Sequence, residues 1–166
     1  TVKQDRNGLQ FFWKHVLNKA WDWVKIVKPP KVKSLPDILT VDEVYEIICK
    51  VKKLRYRVCL FAIYSMGLRL GEGLTLGVSD IDSKRMQVHV RKGKGAKDRY
   101  VPLPDATLLA LRGYWRMHRN PMLLFPNLKG SKKRITEAQT PMDRGAMQTA
   151  MKAAVLECGI HKKVSI

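Results

Sequence analysis

Residues 64–103, YSMGLRLGEGLTLGVSDIDSKRMQVHVRKGKGAKDRYVPL, carry the signals that decide the fold. Gly67 suits the C-terminal turn of a helix, where a left-handed residue carries no steric cost only if it lacks a Cβ. The following LRLGEGLTL predicts a short helix bearing Arg69 and Glu72, which share one face at i,i+3. Asp80 and Asp82 mark an acidic turn. Residues 86–91, MQVHVR, then alternate as a strand does, and residues 98–103, DRYVPL, bring the chain back. Two such runs joined through KGKGAK predict a β-hairpin with a long, basic, glycine-bearing loop.

Working upstream, residues 55–66, RYRVCLFAIYSM, are apolar nearly all round, which predicts a helix lying deep in the core. Before it, Thr40 and Glu43 form a capping box for a helix starting near residue 41, with Val44, Ile47, Ile48 and Val51 as its buried stripe. Residues 28–38, KPPKVKSLPDI, hold three prolines and three lysines. Paired prolines stop a helix and favour extended backbone, so this stretch reads as an interdomain linker. Residues 2–27 predict a helix from the 3–4 spacing of Leu9, Trp13, Val16, Leu17 and Ala20. It has no capping signal, so the chain is expected to begin inside a larger unit. Downstream, residues 105–118 predict a helix that turns Leu108, Leu111 and Trp115 to the core. Residues 127–142 read as a polar, basic loop. A last helix follows over 143–158, capped by Asp143 and ended by Gly159. The fold class is therefore α+β, mainly helical, with one small antiparallel hairpin or sheet. A parallel α/β sheet is excluded, because the strand signals are joined by a hairpin.

The chain of 166 residues carries 32 Lys+Arg against 14 Asp+Glu, a formal charge of +18. The excess is not a tail: residues 1–35 hold 8 basic and 2 acidic residues, residues 36–126 hold 16 and 9, and residues 127–166 hold 8 and 3. A folded body with such a field seeks a polyanion, and nucleic acid is the usual one. No apolar run approaches the roughly 18 residues of a membrane span, and no amphipathic helix with a clean Lys/Arg face suggests a membrane surface. The three cysteines, Cys49, Cys59 and Cys158, are too scattered for a disulfide framework, so a reducing cytoplasm is the expected compartment.

Two constellations suit phosphate chemistry. Arginine offers a planar fork of donors that matches phosphate oxygens, and a carboxylate beside it can hold the fork in place. Arg69 with Glu72 has this composition, although most such pairs at i,i+3 are plain surface ion pairs. The loop Lys92-Gly93-Lys94-Gly95-Ala96-Lys97 combines close backbone approach with point charges. It is not a nucleotide-binding P-loop, which joins a strand to a helix. Cys158-x-x-His161 is half a zinc site without a partner pair, so no metal is expected. Cys59 reads as packing, and the tryptophans of residues 13–23 read as core.

The order GLRxxE, acidic turn, strand, GKGxKxR, strand ending VPLP and helix resembles the first part of the catalytic domain of tyrosine recombinases, the phage and integron integrase family. The resemblance spans residues 35–126 and is carried by the stretches SLPDILTVDEV, YSMGLRLGEGLTLGVSDID, VHVRKGKGAKDRYVPLP and LRGYWRMHRNPMLLFPN, the first and last of which overrun it by one residue each. The resemblance implies a domain order: residues 1–27 as the C-terminal helix of a core-binding DNA-binding domain, 28–38 as linker, and 39–166 as the N-terminal part of the catalytic domain. It implies phosphoryl transfer to a tyrosine without metal or ATP, through a 3′-phosphotyrosyl intermediate that releases a 5′-hydroxyl. Arg69 matches the first catalytic arginine, Glu72 its acidic support, and Lys94 the hairpin lysine that protonates the leaving oxygen, with Lys97 as the fallback. Lys92, Lys97, Arg99, Lys31 and Lys33 are the expected DNA contacts. No cofactor and no small-molecule substrate is implied; the partner is double-stranded DNA, with the full-length protein a homotetramer upon it.

The family also needs an HxxR motif and a later tyrosine. The sequence holds no HxxR, and Tyr45, Tyr56, Tyr64, Tyr100 and Tyr114 all fall in earlier elements. LECGIHKKVSI reads as the lead-in to that box, so the chain is expected to stop short of it and to be inactive alone. Two other classes compete with this reading: a non-catalytic basic DNA-binding module, and a basic RNA-associated structural protein. Convergence of Arg69, Glu72 and Lys94 on one basic cleft favours the recombinase.

Overall fold

A computed structural model describes residues 2–21, 37–91, 98–127, 135–164 and 166. The chain divides into two compact units, Thr1–Pro36 and Asp37–Ile166. In the first, helix α1 spans Val2–His15. The helix expected over 2–27 thus ends earlier: residues 16–17 turn, Asn18 takes a positive φ of 48°, and residues 18–21 are irregular. Trp13 and Trp21 meet edge to face at 5.9 Å, and Trp21 is buried, so the apolar spacing served a fold-back after the helix rather than its continuation. The rest of that helix and most of the 28–38 linker lie outside the described residues.

The second unit is mainly helical. Its elements are α2 (Val41–Lys50), α3 (Leu54–Met66), α4 (Leu70–Leu74), a 3-10 turn (Val78–Asp80), β1 (Ile81–Asp82), β2 (Gln87–Val90), β3 (Arg99–Pro102), α5 (Asp105–His118) and α6 (Arg144–Glu157). The capping box of α2 forms as the sequence requires: Thr40 Oγ1 accepts from Glu43 N, and Glu43 Oε2 accepts from Thr40 N at 2.7 Å. Gly67 ends α3 with φ 61°, and Asp143 caps α6 by accepting from Ala146 N at 2.7 Å.

α3 is the central helix and buries Tyr56, Val58, Cys59, Leu60, Ala62, Ile63 and Met66. Its neighbours include α2, α4 and α5, and α6 packs on α2 and α4. The core continues through Val88, Leu108, Leu111, Phe125, Met147 and Met151. Tyr64 points out of this helix and is half exposed.

The sheet has three antiparallel strands in the order β1-β2-β3. β1 is the element that periodicity could not supply, since two residues show no pattern. It forms because Asp82 Oδ1 accepts from Lys84 N and Arg85 N, tightening the turn that pairs Ile81 with Val88. Buried Asn120 orders the segment after α5. Its Oδ1 accepts from Met122 N and Leu123 N, and its Nδ2 donates to the carbonyls of Ile135 and Ala138. Among the described residues no helix is long and apolar enough to cross a membrane.

Candidate functional site

The hairpin brings its return strand against the short helix. β2 and β3 pair from Gln87↔Pro102 to Val90↔Arg99, so Arg99 stands at the loop end of the ladder. From there its two terminal nitrogens donate to Glu72, Nη1 to Oε1 at 2.8 Å and Nη2 to Oε2 at 2.7 Å. Glu72 also accepts from Arg69, through the backbone N–H at 2.8 Å on Oε2 and through Nη1 at 2.9 Å on Oε1. Four donors therefore converge on one carboxylate whose side chain is only 9% exposed. The Arg99 guanidinium, with burial working against it and Arg69 adding to it, holds the Glu72 carboxyl down to about 2. At neutral pH this group is an anion, which is what a fixed mount for arginine requires.

Arg69 keeps 57% of its side chain exposed and lines a cleft of about 1130 Å³. The lining also includes Glu72, Asp80, His89, Arg91 and Arg144. Both carboxylates are engaged: Glu72 as above, and Asp80 with Arg91 Nε at 2.6 Å and with Gly77 N at 3.0 Å. Three arginines thus face one cleft whose acids are already neutralised, a setting that suits a bound oxyanion. At its hairpin side His89 Nε2 lies 3.0 Å from Asp98 Oδ2, and the His89 ring stacks on Tyr100 at 4.8 Å.

Of the residues expected at the site, Arg69 and Glu72 meet, although Arg69 stands just before the helix as its extended N-cap residue and not on the helix itself. Arg99, expected on DNA, has both terminal nitrogens on Glu72. Lys31, Lys33, Lys92, Lys94 and Lys97 lie outside the described residues. Sequence reasoning missed Arg91 and Arg144 as cleft residues and assigned Asp80 only to a turn. Arg91 sits just past an alternating strand, the one signal that could have aimed it. Nothing local pointed to Arg144.

This α+β unit, with an arginine-carboxylate clasp at the root of a basic hairpin, has the expected form of an integrase catalytic core. Residues 37–166 match the model of the phage integrase family, and the chain belongs to that family. Among its relatives, an integrase/recombinase of Sinorhizobium fredii is 43% identical over 120 residues, which are 72% of this chain and 39% of that protein. The tyrosine recombinase XerA of Thermococcus onnurineus is 44% identical over 91 residues, covering 53% of this chain and 32% of that one. The chain spans less than half the length of either. The fold is shared with a crystal structure of XerA recombinase (TM-score 0.63, 23% identity, 96% of this chain and 55% of that one). It is shared as well with a lambda integrase tetramer bound to a Holliday junction (TM-score 0.70, 17% identity, 97% and 45%).

Proposed function

We propose that residues 37–166 are the phosphate-holding part of a site-specific recombinase active site that acts on duplex DNA. The observation that carries this reading is the clasp of Glu72 by Arg69 and Arg99, which fixes one face of the Arg69 guanidinium and leaves the rest toward the cleft. In the reaction a tyrosine attacks a DNA phosphate, forms a 3′-phosphotyrosyl bond and releases a 5′-hydroxyl, and a second hydroxyl reverses the step. Arg69 holds the charge that builds on the phosphoryl oxygens. Glu72 positions Arg69, and Arg99 positions Glu72. Lys94, with Lys97 as its substitute, protonates the leaving oxygen. Support for the lysine comes from the strands that flank it, since Arg99 roots the return strand at the clasp. Lys31, Lys33 and Lys92 bind the DNA backbone.

The division of the chain after Pro36 supports reading residues 1–27 as part of a core-binding domain, 28–38 as a linker, and the remainder as catalytic domain. The working assembly is a homotetramer on DNA. The 166 residues contain no HxxR motif and no tyrosine after Tyr114, so by themselves they bind DNA without cleaving it. A nicked suicide duplex that traps phosphotyrosyl intermediates tests this. The expected result is no SDS-resistant adduct from this chain, and an adduct from a longer version that supplies HxxR and a tyrosine. An adduct from the 166 residues alone would make one of the five tyrosines the nucleophile and refute the assignment.

A further inference from the structure

Arg91 and Asp80 were no part of the expected site, yet they repeat its construction in the lining of the same cleft. In the first pair a carboxylate with 9% of its side chain exposed takes a backbone N–H, and its arginine stays 57% exposed. In the second, Asp80 is 10% exposed, its Oδ2 accepts from Gly77 N, its Oδ1 accepts from Arg91 Nε, and Arg91 stays 58% exposed. The seat is tight: a Cβ on residue 77 would lie 3.0 Å from Asp80 Oδ2 and 3.3 Å from the Met122 carbonyl.

The contrast with Arg99 shows what this seat leaves open. Arg99 commits both terminal nitrogens to its carboxylate, as a structural pair does. Arg91 is held through Nε alone, and among the described residues its two terminal nitrogens donate to no protein acceptor. Among the described residues, the edge of the guanidinium that matches a phosphate thus meets no acceptor, and Asp80 fixes its direction from behind.

We propose that Arg91 is a second phosphate-binding residue of the cleft, oriented by Asp80, that holds a DNA backbone phosphate neighbouring the one held by Arg69. This rests on the reading of the cleft as a DNA phosphate site. Arg91 acts by binding and register and takes no part in bond making.

Arginine footprinting with phenylglyoxal, read by mass spectrometry on the unaltered chain with and without a random-sequence duplex, tests it without a variant. Arg85, 81% exposed on the β1–β2 turn, gives the solvent-exposed comparison. Both Arg69 and Arg91 should be protected by DNA. The second arm measures binding against salt for Arg69→Gln, Arg91→Gln, the double variant and Arg91→Lys, each checked for native circular dichroism. Each phosphate lost lowers the slope of log K against log salt by about 0.9 and weakens binding on the order of tenfold at 0.1 M salt. Arg91→Gln should show this loss, the double variant should show the sum, and Arg91→Lys should recover the slope. Protection of Arg69 with Arg91 modified equally in both samples, or an unchanged slope in folded Arg91→Gln beside a reduced one in Arg69→Gln, overturns the inference and leaves the phosphate site standing. Protection of neither arginine defeats the phosphate site and the inference together.

Discussion

Replacing Glu72 by glutamine isolates the energy of the clasp, because it removes the charge and leaves the shape. Each carboxylate oxygen of Glu72 takes two donors: Arg69 Nη1 and Arg99 Nη1 on Oε1, Arg69 N and Arg99 Nη2 on Oε2. An amide offers one acceptor oxygen, so whichever way it turns, two of the four donors face an NH2 group. A hydrogen bond to a charged group contributes about 1.5–3 kcal/mol, and the cost here is at the lower end because water reaches both guanidinium groups. The expected loss for Glu72→Gln is about 2 kcal/mol at pH 7, or a fall in Tm of roughly 6–8 °C for a domain of this size.

The pH dependence gives this prediction its sharper edge. Glu72 is held at about 2, below its ordinary 4.5, so its contribution is complete above pH 4.5. It is lost progressively as pH falls from 4.5 toward 2, since the unfolded chain then binds a proton that the folded one refuses. Urea unfolding of the parent and Glu72→Gln chains at pH 7, 5, 4 and 3 should show a gap that is constant to pH 5 and reduced by more than half at pH 3. A gap below about 0.5 kcal/mol at pH 7 refutes the reasoning, since it would sit in the range of an ordinary surface pair. So does a gap that is the same at pH 7 and pH 3.

Two other changes have outcomes set by the structure. A Cβ at Gly73 would lie 2.5 Å from Ile63 Cγ1 on the central helix, so Gly73→Ala should destabilise by about 1–3 kcal/mol in thermal unfolding, despite the better helix propensity of alanine. Cys59 is fully buried and burial pushes its thiol up to about 12, whereas Cys49 is exposed. A thiol reagent should therefore label Cys49 in the native chain and reach Cys59 only on unfolding, and rapid native labelling at Cys59 would contradict the packing of α3.

The sequence by itself determined what lies within a few residues. The box at Thr40 and Glu43, the left-handed stop at Gly67, the cap at Asp143 and the helix over 105–118 are local hydrogen-bond and steric choices, written where they act. The hairpin was legible because alternation fixes which face each side chain takes. Arg69 and Glu72 do meet across three positions, but as the extended N-cap residue and the third residue of α4 rather than as two residues on one helical face. Local rules misjudged α1, where apolar spacing continued past the point at which Asn18 turns the backbone.

Only the tertiary structure decided which charges meet across distance. Arg99 reaches Glu72 across 27 positions because strand register sets it at the loop end of the ladder, beside α4. Nothing in its own neighbourhood separated a DNA contact from a brace for the Glu72 carboxylate. Arg91 finds Asp80 only because the two-residue strand β1 pairs beside β2, and a strand that short has no period to read. Arg144 enters the cleft on the last helix through the packing of α6 against α4. Charge type is a property of the chain, but its distance from another charge is a property of the packed core. The cleft is therefore the part of this protein that its sequence announced in kind and its fold fixed in place.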